Sequence, residues 1–256
     1  MPIEHGDIRR KIEACEVTHG GWCMLASAFA AEIVSASGCD WLCIDQQHGY
    51  IDDGAMRAMV QAADIRGVPV LVRVAWNEPS AIMHALDAGA VGVIVPMIST
   101  ADDARRAAGA TRYPPAGFRS WGPLRAGMVQ PGFNTAVGNA QVLCIAMMET
   151  AEGVENLEEI IAVPGLDGVL IGPNDLAISH SGRNVGADTA ERDLELITRV
   201  ARVCADAHFP AGIVCASGEE ARRWEQFGFS LLALPSDIQI LDPGMKAHLD
   251  AARGKE

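Results

Sequence analysis

Short apolar segments recur along the chain, separated by longer stretches of mixed polarity. Each segment is almost continuously apolar, which is the pattern of parallel strands that are covered on both faces. Eight such segments are present: WCMLAS near residue 22, DWLCID at 40, VPVLVRV at 68, VGVIVP at 91, QVLCIAMM at 141, LDGVLI at 166, PAGIVC at 210 and SLLALP at 230.

The stretches between these strands are rich in Ala, Leu, Glu and Arg and mostly close with Gly or Pro, as helices do. They include DDGAMRAMVQAADIRG, EPSAIMHALDAG, TADDARRAAGA, GVENLEEIIAVPG and TAERDLELITRVARVCADAH. Eight alternations in 256 residues predict a (β/α)8 TIM barrel, with residues 1–256 forming one domain. A doubly wound open sheet is the alternative, but no Gly-x-Gly-x-x-Gly follows the first strand.

One segment, RYPPAGFRSWGPLRAGMVQPGFNTAVGNA at 112–140, breaks the alternation. Its Pro and Gly content is unsuited to a long helix, so we predict an irregular connection. A connection of this length in a compact domain is usually functional.

Composition narrows the possible partners. Apolar residues make up 49% of the chain and charged residues 21%, as in folded globular proteins. The formal charge of −13 argues against nucleic acid and anionic membranes as partners, because both require a cationic face. Small anionic metabolites remain possible partners, since one Arg or a metal can reverse the sign of charge within a cleft.

The cysteines and the apolar runs indicate the cellular compartment in which the protein is expected. The chain has seven Cys, an odd number, and none forms a Cys-x-x-Cys pair, which predicts reduced cysteines in a cytoplasmic protein. The opening MPIEHGDIRRKIEA is too polar for a signal peptide. The longest apolar run, VLCIAMM, is too short to span a membrane.

Polar residues stand where several apolar runs stop, and in a TIM barrel those positions carry the chemistry. The runs concerned end in Asp45 with His48, in Arg73, in Glu149, and in Asn174 with Asp175. No Lys stands at these strand ends, which disfavours Schiff-base chemistry.

Glu149 and Asp175 together suit a hard divalent cation, because both offer oxygen ligands. A helix N-cap is the alternative role for Asp175. Asp45 beside His48 makes a possible carboxylate-oriented general base, whereas His48 alone reads as a loop histidine. Arg73 can bind a carboxylate or enolate oxygen, or it can be a buried ion-pair partner.

These residues, taken in order, resemble a known family. DWLCIDQQHG, VRVAWNEPSAIMHALDAGAVGVIVPMI, RYPPAGFRS, METAEGVENLEEIIAVPGLDGVLIGPNDL and PAGI resemble the HpcH/HpaI family of metal-dependent pyruvate aldolases, over about residues 20–235. The resemblance implies a barrel of the phosphoenolpyruvate/pyruvate type that reversibly cleaves a 4-hydroxy-2-oxo acid to pyruvate and an aldehyde. The enolate of pyruvate would form at a divalent metal, Mg²⁺, Mn²⁺ or Co²⁺, in the catabolism of aromatic or sugar acids. Oxaloacetate decarboxylation is expected as a side activity, since it passes through the same enolate.

The resemblance also implies roles for individual residues. The metal ligands would be Glu149 and Asp175, and Arg73 would stabilise the enolate oxygen. His48 and Asp45 match the region of the base, and Asp87 matches an acidic position that reaches a histidine across a subunit contact. Backbone groups of the turn at Gly172, Asn174 and Asp175 would hold the pyruvate carboxylate. A hexamer, a trimer of dimers that exchange their last helix, is implied as well.

Two departures from the family pattern concern the substrate. Gln47 stands where many members have Glu, which removes a charge near the metal. Met147 stands in MMET where many members read QIET, and period-two alternation places it on the same face as Glu149. A thioether cannot hydrogen-bond a polyhydroxylated aldehyde, so we expect a smaller or more apolar aldehyde. An acyl-CoA lyase of the citrate lyase β or malyl-CoA type and a catalytically inactive binding barrel remain as alternatives.

Overall fold

A computed structural model describes residues 5–182 and 193–254. Eight parallel strands form a closed barrel in sequence order, β1 through β8, with β8 pairing back to β1. The strands are β1 Thr18–Cys23, β2 Trp41–Asp45, β3 Val70–Arg73, β4 Gly92–Val95, β5 Leu143–Met148, β6 Gly168–Ile171, β7 Ala211–Val214 and β8 Leu231–Ser236. The predicted (β/α)8 fold is confirmed.

Helices surround this barrel in the described residues. They span His5–Glu13, Ala28–Ala36, Asp53–Ile65, Pro79–Asp87, Ala101–Thr111, Leu124–Val129, Thr135–Gln141, Ala151–Glu155, Leu157–Ile161, Pro173–Ser181, Leu194–Asp206, Gly218–Gln226 and Asp237–Ala252. The first part of the predicted helix TAERDLELITRVARVCADAH lies outside the described residues. The predicted helix GVENLEEIIAVPG is two short helices, which meet at Asn156.

The first strand begins four residues earlier than its apolar letters indicate. β1 includes Gly20 and Gly21, which are poor strand formers by propensity. Gly20 is required by packing, because a Cβ there would lie 2.3 Å from the ring of Trp41, which fills the barrel interior. This strand boundary therefore depends on a tertiary contact that the local pattern does not contain.

The apolar core has two layers. One lies between the barrel and its helices, and the other fills the barrel interior. Ile8 and Ile12, four residues apart on the helix His5–Glu13, pack on the interior layer and are 3% and 2% exposed. Each buried Ile side chain stabilises the fold by about 1.5–3 kcal/mol. This helix was not among those predicted from the sequence.

Segment 112–140 is more regular than expected. It contains the helices Leu124–Val129 and Thr135–Gln141, although neither is long. The ring of Trp121 lies 5.4 Å from that of Tyr113 and 6.1 Å from that of Phe133. The segment leads into β5 and therefore lies toward the amino-terminal ends of the strands, away from the end where barrel enzymes carry their chemistry.

The cysteines and the lengths of the helices can be compared with the sequence-based expectations. All seven cysteines are free thiols. Among the helices of the described residues, none is long and apolar enough to cross a membrane.

Candidate active site

A cleft of about 370 Å³ opens at the carboxyl ends of the strands. Seven of the predicted site residues line it: His48, Arg73, Met147, Glu149, Gly172, Asn174 and Asp175. The period-two argument for Met147 is confirmed, because its side chain and that of Glu149 face the same cleft. Side chains separated by more than a hundred residues in sequence thus meet at one end of the barrel.

Arg73 is fixed by a buried ion pair with Asp45. Its Nε donates to Oδ1 of Asp45 at 2.8 Å and its Nη2 donates to Oδ2 at 2.5 Å. Its Cζ lies 5.0 Å from the ring centroid of Trp22, whose Nε1 donates to the same carboxylate at 3.3 Å. The remaining corner, Nη1, lies 3.8 Å from Sδ of Met147. Both N–H groups of Nη1 and the second N–H of Nη2 are therefore left for a ligand.

The structure gives Asp45 a different partner from the one expected. We predicted that Asp45 orients the His48 ring, but its carboxylate binds Arg73, Trp22 and the backbone N–H groups of Gln47 and His48. Burial alone would raise the pKa of Asp45, yet the hydrogen bonds and charge of Arg73 hold that pKa below its usual value. Asp45 is therefore an ionised anchor for Arg73.

Glu149 is a buried carboxylate with one unused oxygen. Oε1 accepts a hydrogen bond from the backbone N–H of Met97 at 2.7 Å, while Oε2 is buried and accepts none. Burial, assisted by the nearby charge of Asp175, raises the pKa of Glu149 to about 7. A buried carboxylate oxygen without a partner is costly, and a cation would relieve that cost.

Asp175 lies next to Glu149 on the following strand–helix connection. It is the third residue of the helix Pro173–Ser181, and Gly172 occupies the N-cap. The alternative of Asp175 as N-cap is therefore excluded. The first-turn N–H groups of Asn174 and Asp175 are not used by helical hydrogen bonds, and such groups bind anions.

These residues fit a divalent cation. In the described part of the chain, no three His, Cys, Asp or Glu side chains form a metal cluster. Two carboxylates leave coordination positions for water and substrate, which is how Mg²⁺ is usually held. Gly172 makes room for such an ion, because a Cβ there would lie 2.7 Å from Oε2 of Glu149.

His48 and Gln47 differ in their relation to the cleft. His48 is exposed and lines the cleft. Gln47 is half-buried and does not line the cleft in the described residues, and its Oε1 is buried without a hydrogen-bond partner. A direct role for Gln47 in substrate binding thus lacks structural support.

Comparison with known proteins places this arrangement in a family. The sequence model of the HpcH/HpaI aldolase/citrate lyase family matches residues 19–240. A hydroxypyruvate/pyruvate aldolase from Rhizorhabdus wittichii is 37% identical, covering 91% of this chain and 93% of its own length. A 2-dehydro-3,6-dideoxy-6-sulfogluconate aldolase from Pseudomonas putida is 34% identical, covering 93% of each chain. The crystal structure of a HpcH/HpaI aldolase/citrate lyase family protein from Burkholderia cenocepacia has a TM-score of 0.88 and 31% identity, covering 96% of this chain and 99% of its own.

The chain belongs to the HpcH/HpaI aldolase/citrate lyase family. This confirms the resemblance drawn from the sequence and the prediction of an aldolase, a carbon–carbon lyase. Both curated relatives are named as aldolases, which supports this prediction over the acyl-CoA lyase and the inactive barrel.

Asp87 lies outside the cleft of the single chain of this HpcH/HpaI protein. It is the last residue of the helix Pro79–Asp87, and its Oδ1 accepts a hydrogen bond from Nη2 of Arg119 at 2.7 Å. Helices of a barrel run back from the carboxyl ends of the strands, so this residue lies toward the opposite end. Its contact with a histidine of another subunit stays a prediction.

Several residues that line the cleft were missed by sequence reasoning. Trp22 and Ser236 belong to β1 and β8, Met24 directly follows β1, and Gln239 lies in the first turn of the last helix. Trp22 was missed because the predicted strand WCMLAS begins at Trp22, whereas in the structure Trp22 lies near the carboxyl end of β1. Ser236 and Gln239 form a Ser-x-x-Gln capping box, which is a recognisable sequence signal for the start of a helix.

Proposed function

We propose that this protein reversibly cleaves a 4-hydroxy-2-oxo acid to pyruvate and an aldehyde, using a divalent metal. The observation that carries the proposal is the buried, unpartnered Oε2 of Glu149, which stands beside Asp175 in the same cleft as Arg73. A carboxylate at this position is explained by a cation, and the guanidinium beside it keeps N–H groups that Asp45 does not use and that can donate to an oxygen of the ligand.

Each residue has a defined part in this reaction. Glu149 and Asp175 would hold the cation, which as a Lewis acid favours negative charge on the keto oxygen. Arg73 donates from Nη1 to that oxygen, and the first-turn N–H groups of the helix Pro173–Ser181 bind the carboxylate. His48 takes the proton of the 4-hydroxyl group. The C3–C4 bond then breaks, its electrons form the enolate of pyruvate, and a proton added at C3 completes the product.

The relatives support this substrate class. The R. wittichii protein is named for hydroxypyruvate and pyruvate, and the P. putida protein for a deoxy sugar acid. Both names describe 2-oxo acids or aldol products that contain one. Met147, which contacts Arg73, makes the wall beside the keto oxygen apolar, and its effect on the choice of aldehyde stays a prediction.

A pyruvate-release screen tests the proposal. We expect pyruvate from at least one 4-hydroxy-2-oxo acid, loss of release in excess EDTA, and recovery with Mg²⁺, Mn²⁺ or Co²⁺. Glu149→Ala should remain folded by circular dichroism yet bind no Mn²⁺ in calorimetry. Full activity in the chelator would contradict the metal, and no pyruvate from any such acid would contradict the reaction.

We also propose that the last helix packs against a second copy of the chain, as in the expected trimer of dimers. No residue of the helix Asp237–Ala252 is buried. Leu241, Met245 and Leu249 recur every four residues and are 60%, 58% and 44% exposed, so they form one apolar stripe. Such a stripe is a hallmark of an interface.

The oligomeric state tests this stripe. We expect sedimentation to give an oligomer for the unchanged chain and smaller species for Leu241→Asp combined with Met245→Asp. The control is Lys246→Asp, which places the same charge on the same exposed helix outside the stripe. A monomer for the unchanged chain, or the same oligomer for the double variant, would contradict the proposal.

A further inference from the structure

The cleft has a second polar group, Ser236 with Gln239, which lies at the end of β8, two strands from the strand that precedes Asp175. Glu149 and Asp175 follow β5 and β6, and Arg73 ends β3, whereas Ser236 ends β8 and Gln239 follows it. On the proposed function, the oxo acid occupies the β3, β5 and β6 side. The β7, β8 and β1 side is then left for the aldehyde.

Gln239 is held in one orientation by the helix cap. Its Oε1 accepts hydrogen bonds from the backbone N–H of Ser236 at 2.9 Å and from Oγ of Ser236 at 3.1 Å. A backbone N–H can only donate, so the atom facing it must be the oxygen of the amide. The Nε2 group therefore points away from Ser236, and no described residue accepts a hydrogen bond from it.

The walls around this amide are apolar. Met24, Val214, Leu234 and Ile238 line the cleft on the same side of the barrel. Among the described residues that line the cleft, Arg73 alone carries a permanent positive charge, and Asp45 neutralises it. This part of the cleft therefore suits an uncharged molecule with a small apolar body and one oxygen that accepts a hydrogen bond.

We propose that Gln239 is a specificity-determining residue that donates from Nε2 to an oxygen substituent of the aldehyde. The inference rests on the proposed aldolase function and names its acceptor class: short, neutral aldehydes with a hydroxyl or ether oxygen near the carbonyl. Aldehydes with a carboxylate find no unpaired cation among the described residues of this cleft.

A matched pair of aldehydes isolates the contact. Methoxyacetaldehyde and butanal have nearly the same shape, and the ether oxygen of the former can accept a hydrogen bond but cannot donate one. In the addition of pyruvate with Mn²⁺, we expect kcat/KM to favour the ether about threefold to tenfold, the range for one neutral hydrogen bond. Each aldehyde's intrinsic reactivity cancels when this ratio is compared between variants.

Two variants remove the donor in different ways. Gln239→Glu keeps an oxygen facing Ser236 and so preserves the cap, while Gln239→Met removes both the donor and the cap contact. We expect both to lower the ratio about threefold to tenfold, because neither side chain donates a hydrogen bond at neutral pH.

The outcomes separate this inference from the function on which it rests. If the unchanged protein adds pyruvate to neither aldehyde and releases none from 4-hydroxy-2-oxo acids, the proposed function fails. If it adds pyruvate to both and the Gln239 variants keep the same ratio, the aldolase function stands and the role of Gln239 is overturned. A ratio lost in Gln239→Met but kept in Gln239→Glu also overturns it, since the effect would then belong to the helix cap.

Discussion

At the scale of single residues, Arg73 is the best-defined element of the cleft. Two of its five N–H groups bind Asp45 and its face lies over Trp22, which leaves Nη1 and the second N–H of Nη2 for substrate. Replacing Arg73 by Ala should lower kcat about 10²–10³-fold, as loss of an oxyanion donor does. Deuterium exchange at the methyl group of pyruvate, measured by NMR, should fall in parallel. Unchanged exchange would mean that Arg73 does not act on the keto oxygen.

The Asp45–Arg73 pair changes what we expect of Asp45. Asn in place of Asp45 cannot pair its amide with both donors of Arg73, and loss of one partner of a buried ion pair costs about 3–5 kcal/mol. Asp45→Asn should therefore lower aldol cleavage and oxaloacetate decarboxylation together, because both need Arg73. The measurement is the ratio of the two reaction rates, cleavage to decarboxylation, on one preparation of the variant. A loss confined to cleavage would instead support the original prediction that Asp45 orients His48.

His48 should behave differently. Decarboxylation of oxaloacetate has no 4-hydroxyl proton to remove, so His48→Ala should slow aldol cleavage at least tenfold more than decarboxylation. His84→Ala, an exposed histidine outside the cleft, is the matched control and should change neither rate. Equal losses in the His48 variant would assign this residue to support of the site instead of proton transfer.

These residues also show where sequence reasoning reaches its limit. The positions of His48, Arg73, Glu149 and Asp175 follow from a simple rule, because polar residues at strand ends share one end of a barrel. The partner of Asp45 does not follow from proximity in sequence, which favoured His48. It follows from strand register, since Asp45 and Arg73 are paired directly across β2 and β3.

At the scale of elements, apolar runs located all eight strands, while packing set their boundaries. β1 contains two glycines that its neighbours require, and the helix His5–Glu13 is marked only by Ile8 and Ile12. Segment 112–140 was expected to be irregular because of its composition, yet it holds two short helices next to an aromatic cluster. Contacts distant in sequence decided the first two cases, whereas the aromatic cluster lies within segment 112–140 itself.

The turn between β6 and its helix carries a prediction of its own. The backbone of Gly172 is ordinary, with φ of −99°, so an added Cβ acts only by contact with Oε2 of Glu149 at 2.7 Å and Cε of Met147 at 3.1 Å. Gly172→Ala should weaken Mn²⁺ binding about tenfold or more, by displacing a ligand. Gly218→Ala, at the start of another barrel helix with nothing within 4 Å of the added Cβ, is the control. Calorimetry compares the two, and equal affinities would exclude Gly172 from the metal site.

At the scale of the whole molecule, the ionised and buried Glu149 lowers the free energy of unfolding, and a bound metal can remove that cost. Glu149 is 1% exposed, and burial raises its pKa from 4.5 to about 7 in the absence of metal. The folded protein therefore holds this proton more tightly than the unfolded chain does. The stabilisation from this group is complete below pH 4.5 and is lost as the pH rises through 7. The loss amounts to about 3 kcal/mol.

Chelated protein should accordingly lose about 3 kcal/mol of unfolding free energy between pH 4.5 and pH 8, relative to Glu149→Gln, which has no proton to release. Urea unfolding at each pH measures this difference, and comparison with the Gln variant removes the contribution of all other titrating groups. Excess Mg²⁺ at pH 8 should restore the loss in the unchanged protein and not in the variant, because the cation takes the place of the proton on Glu149. Identical pH profiles for the two chelated proteins would show that Glu149 ionises at its ordinary pKa, and burial would then give no reason for a cation beside it.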